Sequence, residues 1–224
     1  MPEYTNNLRL KEIATGDESG TWGTSTNTNL ELIGEALGFG TEGITTNADT
    51  HTTTVADGSA DEGRAMYIKY TGTLDSACTI TIGPNTLKRV HIIENATSGS
   101  QNIIISQGSG ANVTIGPGNT KVVYLDGAGS GAAVVDAFAS LAVVDLKVED
   151  DLTVTDDLIV NGDIDLEGSI DVNGTTETDA LSINGTSVTS TAAELNLLDG
   201  SSANTVVNSK AVIYGSSGEL AGTL

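Results

Sequence analysis

The sequence has few of the residues on which enzymes and metal-binding proteins depend. Its 224 residues include one cysteine, two histidines, one tryptophan and three prolines, and aromatic residues make up 4%. The lone cysteine, Cys78, excludes an intrachain disulfide framework, and its alternating apolar surroundings predict a small core residue. The motifs of serine hydrolases, zinc proteases, P-loop proteins and dithiol oxidoreductases do not occur. We therefore predict that the chain is not an enzyme and has no catalytic residue, metal site or cofactor.

Basic residues are also scarce. Nine Lys and Arg stand against 30 Asp and Glu, which gives a formal net charge of −21. Because nucleic-acid binding depends on a basic footprint, we expect no nucleic-acid partner, and a basic protein surface would suit this charge better. The sequence contains no run of about 18 apolar residues, so we expect no membrane span. The N-terminus does not resemble a signal peptide. These features favour a protein assembled in the cytoplasm and released on lysis.

A six-residue repeat is the clearest pattern in the sequence, and it lies within residues 141–175. Each repeat has two aliphatic residues separated by one residue, followed by three positions rich in Asp, Asn, Gly, Ser and Thr. Two residues at this spacing lie on one face of a strand, and the polar positions favour a turn. The pattern predicts stacked short strands and bends. The aliphatic pairs are Leu146 and Val148, Leu152 and Val154, Leu158 and Val160, Ile164 and Leu166, and Ile170 and Val172.

One ribbon of this kind has nothing against which to bury its apolar edge. Three copies wound about one axis would enclose every aliphatic pair, so the repeat predicts an obligate homotrimer with a β-prism shaft over residues 141–190. A monomeric hexapeptide β-helix is the alternative, but such helices usually place one large aliphatic residue per repeat inside. The recurring Asp residues are expected to form a solvated acidic face, with bridging calcium as the alternative.

Residues 1–43 form the first predicted segment, with a short helix at about residues 29–37. A capping box, an apolar stripe and a glycine stop indicate this helix. Trp22 lies in the turn-rich loop before it and is expected to pack onto the helix, with sugar stacking as the alternative. The capping box is Thr28 with Glu31, the stripe is Leu30, Ile33 and Leu37, and the stop is Gly38.

Residues 44–140 are predicted to form a β domain. Short runs of β-branched and apolar residues alternate with Gly, Pro, Asn and Asp at a spacing of about 8–12 residues, which is typical of an antiparallel β-sandwich or small jelly roll. Within one run, His91 lies between Val90 and Ile92 and is expected to face outward. The chain as a whole is thus predicted to be mainly β.

Residues 191–224 are expected to form a short helix and the start of a further shaft or tip element. Thr191 to Gly200 contains a capping box, an apolar stretch and a glycine stop. Three copies of this helix could pack Leu195 and Leu198 on the axis. Lys210 to Tyr214 is expected to form one strand.

Several short motifs resemble tail-fibre proteins of marine, cyanophage-like short-tailed bacteriophages. Residues 10–30 contain Leu-Lys-Glu-Ile-Ala-Thr-Gly-Asp, Gly-Thr-Trp-Gly and Thr-Asn-Thr-Asn in this order, which is similar to the N-terminal end of those proteins. Residues 92–97 and 116–127 are similar to a domain near that end. Residues 191–200 resemble an element that recurs along fibre shafts.

This resemblance implies a structural virion protein of host adsorption and adhesion. Its N-terminal part would bind tail tube, adaptor or nozzle proteins, and a distal region outside this chain would bind the host receptor. The protein would belong to the virion tail and be extracellular after lysis. A capsid-decorating head fibre and a carbohydrate-binding adhesin module are the alternatives. The expected attachment residues are Thr15, Gly16, Asp17, Trp22, Leu30, Ile33 and Leu37.

Overall fold

The computed structural model describes residues 3–220, which fall into two compact units that divide between Glu149 and Asp150. The chain is mainly β, with a short helix near its N-terminus. Both of these features of the predicted fold are confirmed. Within the described part of the chain, no helix is long and apolar enough to cross a bilayer.

Helix α1 (Trp22–Ala36) begins at Trp22 rather than near residue 29. The predicted capping box is therefore wrong, because Thr28 and Glu31 both lie inside the helix. Tertiary contacts outweigh the local start signal here. The backbone N–H of Lys11 donates to Asn29 Oδ1 at 3.0 Å, and Asn29 Nδ2 donates to the Lys11 carbonyl at 2.8 Å. The N-terminal segment thus binds the middle of the helix and supports its earlier turns.

Nine strands form two sheets in the first unit, counting only described residues. The five-stranded sheet has the order β1-β3-β5-β8-β9, and the four-stranded sheet has the order β2-β4-β6-β7. In chain order, the strands are β1 (Phe39–Gly43), β2 (Thr50–Thr54), β3 (Tyr67–Thr71), β4 (Cys78–Gly83), β5 (Arg89–Asn95), β6 (Ile103–Ser106), β7 (Val113–Ile115), β8 (Thr120–Leu125) and β9 (Val134–Asp136).

The two sheets are mixed, which corrects the predicted antiparallel arrangement. β1, β3 and β5 run parallel to one another, as do β2, β4 and β6. The antiparallel pairs are β5 with β8, β8 with β9, and β6 with β7. From β1 to β6 the chain alternates between the sheets and therefore coils, before antiparallel strands complete each sheet. Strand spacing and turn residues indicated where strands lie but not which sheet each one joins.

One apolar core is shared by both sheets. Its fully buried members come from alternating positions of the strands, as period-2 burial requires. Tyr70 and Thr53 join the sheets through a 2.7 Å hydrogen bond between their hydroxyl groups, and burial raises the pKa of Tyr70 well above its usual value. Cys78 is buried, as predicted. Core residues include Ile68, Tyr70, Cys78, Ile80, Ile82, Ile93, Ile103, Ile105, Ile115 and Val123.

His91 is fully buried, and the prediction that it faces outward is wrong. In β5 the inward positions are His91, Ile93 and Asn95. The two faces could not be told apart from the sequence because Val90 and Ile92, on the outer face, are apolar as well. His91 Nδ1 donates to the Ala65 carbonyl at 2.9 Å. Burial, with a further contribution from Arg89, lowers the pKa of His91 to about 4, so the folded state holds this imidazole neutral.

The second unit has little regular structure in the single chain. It contains a hairpin of β10 (Ser182–Ile183) and β11 (Thr186–Ser187) and the short helix α2 (Ala192–Leu195). The predicted capping box of α2 is confirmed: Glu194 N–H donates to Thr191 Oγ1 at 3.2 Å, and Thr191 N–H donates to Glu194 Oε2 at 2.8 Å. The strand expected at residues 210–214 is only an isolated bridge between Ala203 and Ile213.

Candidate functional site

The six-residue repeat forms an extended chain with one bend per repeat. Residues 150–180 contain no helix or strand, and two-residue bends lie at 155–156, 161–162, 167–168 and 173–174. Successive bends are six residues apart, and each falls in the polar part of its repeat. The local conformation therefore follows the period of the sequence.

The backbone of this ribbon is free to pair with other chains. Between residues 142 and 180, all of which are described, no main-chain N–H donates to a main-chain carbonyl. Backbone polar groups need hydrogen-bond partners, so in the single chain water must supply them. An extended segment with two unpaired edges is a template for pairing with further strands.

All ten paired aliphatic residues are exposed, and their exposure repeats with the sequence. The first member of each pair is 63–70% exposed and the second is 42–53% exposed. Burying a fully exposed side chain of this kind contributes about 1.5–3 kcal/mol to stability. The isolated ribbon lacks much of this contribution because its aliphatic side chains remain in contact with water. The first members are Leu146, Leu152, Leu158, Ile164 and Ile170, and the second members are Val148, Val154, Val160, Leu166 and Val172.

The predicted axial residues Leu195, at the end of α2, and Leu198, in the turn after it, are exposed as well. Leu195 is 41% exposed and Leu198 is 54% exposed. Neither side chain is buried within the single chain. Their role in trimer contact remains a prediction.

Helix α1 carries a second exposed apolar surface. It buries Leu32 and Ala36, whereas the residues of the predicted stripe lie toward solvent. At about 100° per residue, the four apolar residues at positions 22, 30, 33 and 37 fall within a sector of about 80°. We call this set the α1 stripe: Trp22, Leu30 and Leu37, which are 63%, 60% and 70% exposed, and half-buried Ile33.

Trp22 does not pack onto the helix as predicted. It is the first residue of α1 and points toward solvent, because the turn that was expected to hold it ends one residue earlier. The other predicted attachment residues, Thr15, Gly16 and Asp17, lie in an exposed turn before α1. In that turn the Asp17 N–H donates to the Ala14 carbonyl at 3.0 Å.

An acidic cavity lies at the C-terminal end of α1. It has a volume of about 260 Å³ and contains three carboxylates but no basic side chain in its lining. The end of a helix carries partial negative charge, and the last turn of α1 has no basic residue. Arg64 pairs with two of these carboxylates, Asp61 at 2.9 Å and Glu35 at 3.9 Å, so the third, Glu62, together with the helix end, is what suits a cationic side chain. Its lining consists of Glu35, Gly38, Phe39, Gly40, Ala60, Asp61, Glu62 and Ala65.

Arg64 is fully buried behind this cavity and holds its wall together. Its Nη2 donates to the carbonyls of Ala56 and Ser59 at 2.6 and 2.8 Å and to Asp61 Oδ2 at 2.9 Å. Its Nη1 donates to the Leu8 carbonyl, which ties the N-terminal segment to the sheet domain. Sequence reasoning missed Arg64, although a single Arg in an acidic, Gly-rich loop was a usable signal.

The described residues contain no group of three or more His, Cys, Asp and Glu placed to hold a metal ion. Comparisons with protein-family models, curated proteins and solved structures gave no match. The six-residue ribbon, the α1 stripe and the acidic cavity are the features of the described chain that bear on function.

Proposed function

We propose that this chain is the virion-proximal part of a phage tail fibre, a homotrimer that attaches to the tail through its N-terminal part. The observation that carries this proposal is the ribbon of residues 146–172, whose bends and exposed aliphatic pairs repeat every six residues. Three such ribbons around an axis form a β-prism that pairs their free edges and encloses their apolar side chains. A closed threefold arrangement also leaves no apolar edge open to further chains.

The energetics favour association over an isolated ribbon. Because the two residues of a pair are about two-thirds and about half exposed in the single chain, burying the pair contributes about 2–3 kcal/mol per chain. The acidic positions alternate with the apolar pairs and lie on the outside of the prism, where water and counter-ions screen their repulsion. In this arrangement α2 adds Leu195 and Leu198 to the axis.

Attachment uses the α1 stripe with the acidic cavity beside it. An apolar strip next to three carboxylates suits a partner surface with apolar residues and a Lys or Arg. The net charge of −21 steers association toward such a basic surface. Tail tube, adaptor and nozzle proteins are the proposed partners. Several trimers on one virion would bind the host at the same time, and this avidity would strengthen binding that is weak for each single tip.

The action of this fibre is mechanical. The trimeric shaft holds a distal receptor-binding region away from the virion so that it meets the host receptor during adsorption. The protein resides in the virion tail and is extracellular after lysis. This mechanical action needs no chemical step, so we propose that the chain is not an enzyme.

Electron microscopy of virions labelled with antibodies against the purified chain tests the location. The proposal expects label on the tail. Label on the capsid would replace it with a head fibre, and virions without label would reject a role in the particle.

A further inference from the structure

The outer faces of the two sheets differ sharply in composition. The four-stranded sheet exposes Thr50, Thr79 and Thr114 in one row, together with Ile104, and Thr52 and Thr81 in the next. This is the polar face expected of a sheet in contact with water. The five-stranded sheet does not follow this rule.

The outer face of the five-stranded sheet carries an apolar patch that includes residues of all five strands, beside one polar row. Cross-strand neighbours form two adjacent rows, which together we call the apolar sheet face. Phe39 and Tyr67 contact each other with ring centroids 5.4 Å apart. The first row is Phe39, Tyr67, Ile92 and Val122, and the second is Val90, Tyr124 and Val135.

Several of these side chains are strongly exposed in the single chain. Phe39, Val90 and Tyr124 are 63%, 57% and 41% exposed. Strands that are apolar on both faces are typical of sheets covered on both sides. Contiguous exposed apolar patches mark interaction surfaces. The sequence of β8, Thr-Lys-Val-Val-Tyr-Leu, is thus explained if its outer face is covered too.

The apolar sheet face carries no net charge. Within the five strands, the charged residues on this side are Lys69 and Glu94, which lie in the neighbouring row and form an ion pair at 3.1 Å. The Tyr67 hydroxyl also donates to Glu94, at 2.8 Å. On a chain of net charge −21, two copies can meet on this face without like charges facing each other.

We infer that the apolar sheet face packs against other copies of the same chain, as a second trimer contact distinct from the six-residue ribbon. This inference rests on the proposed trimer. β9 ends at Asp136, ten residues before Leu146. Ten residues span at most about 36 Å, so a shaft that begins at Leu146 holds all three sheet domains near its axis. Such tethering gives an effective concentration on the order of millimolar, enough to populate a modest apolar contact.

Site-specific photo-cross-linking of the full chain tests this inference. A benzophenone amino acid is placed at Tyr124 on the apolar sheet face or, as the control, at Thr81 on the outer face of the four-stranded sheet. Irradiation at Tyr124 should give a band at twice the chain mass, at least fivefold stronger than irradiation at Thr81. A second pair of variants, Tyr124→Lys and Thr81→Lys, places the same charge on the outer faces of the two sheets. Tyr124→Lys should lower the sedimentation coefficient of the trimer, because the domains move apart, and Thr81→Lys should not.

The mass of each sample separates this inference from the proposed function. A monomer mass for the parent chain would reject the proposed trimer and, with it, this contact. A trimer mass with equal or absent cross-linking at Tyr124 and Thr81 would overturn the sheet contact alone. A trimer in which Tyr124→Lys and Thr81→Lys sediment alike would overturn it too.

Discussion

Replacing Leu158 with Asp should dissociate the shaft. Leu158 is 66% exposed in the single chain, so its burial in a trimer supplies roughly two-thirds of the usual 1.5–3 kcal/mol, or about 1–2 kcal/mol per chain. The substitution removes this term and places three carboxylates together on the axis. Each unpaired buried charge costs several kcal/mol. The trimer therefore loses on the order of 10 kcal/mol, which corresponds to roughly seven powers of ten in its association constant.

Ile159→Asp is the matched control for this experiment. Ile159 is 80% exposed, directly follows Leu158, and lies at the position between the two aliphatic residues of its pair. Consecutive residues of an extended chain point to opposite faces, so the same new charge would lie outside the prism. Sedimentation equilibrium at micromolar concentration should give a monomer for Leu158→Asp and the parental mass for Ile159→Asp. If Leu158→Asp keeps the parental mass and melting temperature, or if both variants dissociate alike, the shaft geometry is wrong.

Three further results follow from the first unit. His91 has a pKa of about 4 in the folded state and about 6.5 in the unfolded state, so its contribution to the free energy of unfolding is fully present above about pH 6.5 and falls by about 3 kcal/mol as the pH drops toward 4. Thermal melts at several pH values should show that His91→Gln loses this pH dependence. Equal slopes of melting temperature against pH for parent and variant would contradict it. Arg64→Leu should lower the free energy of unfolding by about 3–5 kcal/mol, because Asp61 and three carbonyls lose a buried donor. A loss below about 1 kcal/mol in denaturant unfolding would reject this stabilising role of Arg64. Leu30→Asp should change stability by less than about 0.5 kcal/mol but prevent incorporation into virions; normal incorporation, scored by immunoblot of purified particles, would remove the α1 stripe from attachment.

The sequence predicted those features that depend on local pattern. The six-residue period placed the bends, because Asp, Asn and Gly favour turns wherever the chain is otherwise extended. The capping box of α2 was also correct, since Thr191 and Glu194 need no partner outside their own turn. The mainly β character followed in the same way from short runs of β-branched residues.

Features that depend on tertiary contact could not be read in this way. α1 begins earlier than its local signals indicate because Lys11 holds Asn29, a pairing across 18 residues. The stripe that would normally mark the buried side of a helix lies toward solvent, and Leu32 with Ala36 faces the protein instead. An apolar stripe in the sequence indicates that this side of the helix is buried against something. It does not indicate whether the residues that bury it belong to the same chain or to another one.

The same ambiguity explains the error at His91. In β5 the outer face carries Val90 and Ile92 and the inner face carries Ile93, so the alternation of apolar residues gave no direction. The fault lay in the assumption that one face must meet water. If the outer face is covered by another copy, Val90 and Ile92 on that face are what a strand buried on both sides should show.

The mass of the purified chain in solution tests the central claim most directly. Sedimentation equilibrium or native mass spectrometry should give about 68 kDa, three times the 22.8 kDa of one chain, without dissociation at micromolar concentration. A mass of 22.8 kDa under the same conditions would contradict the trimeric shaft.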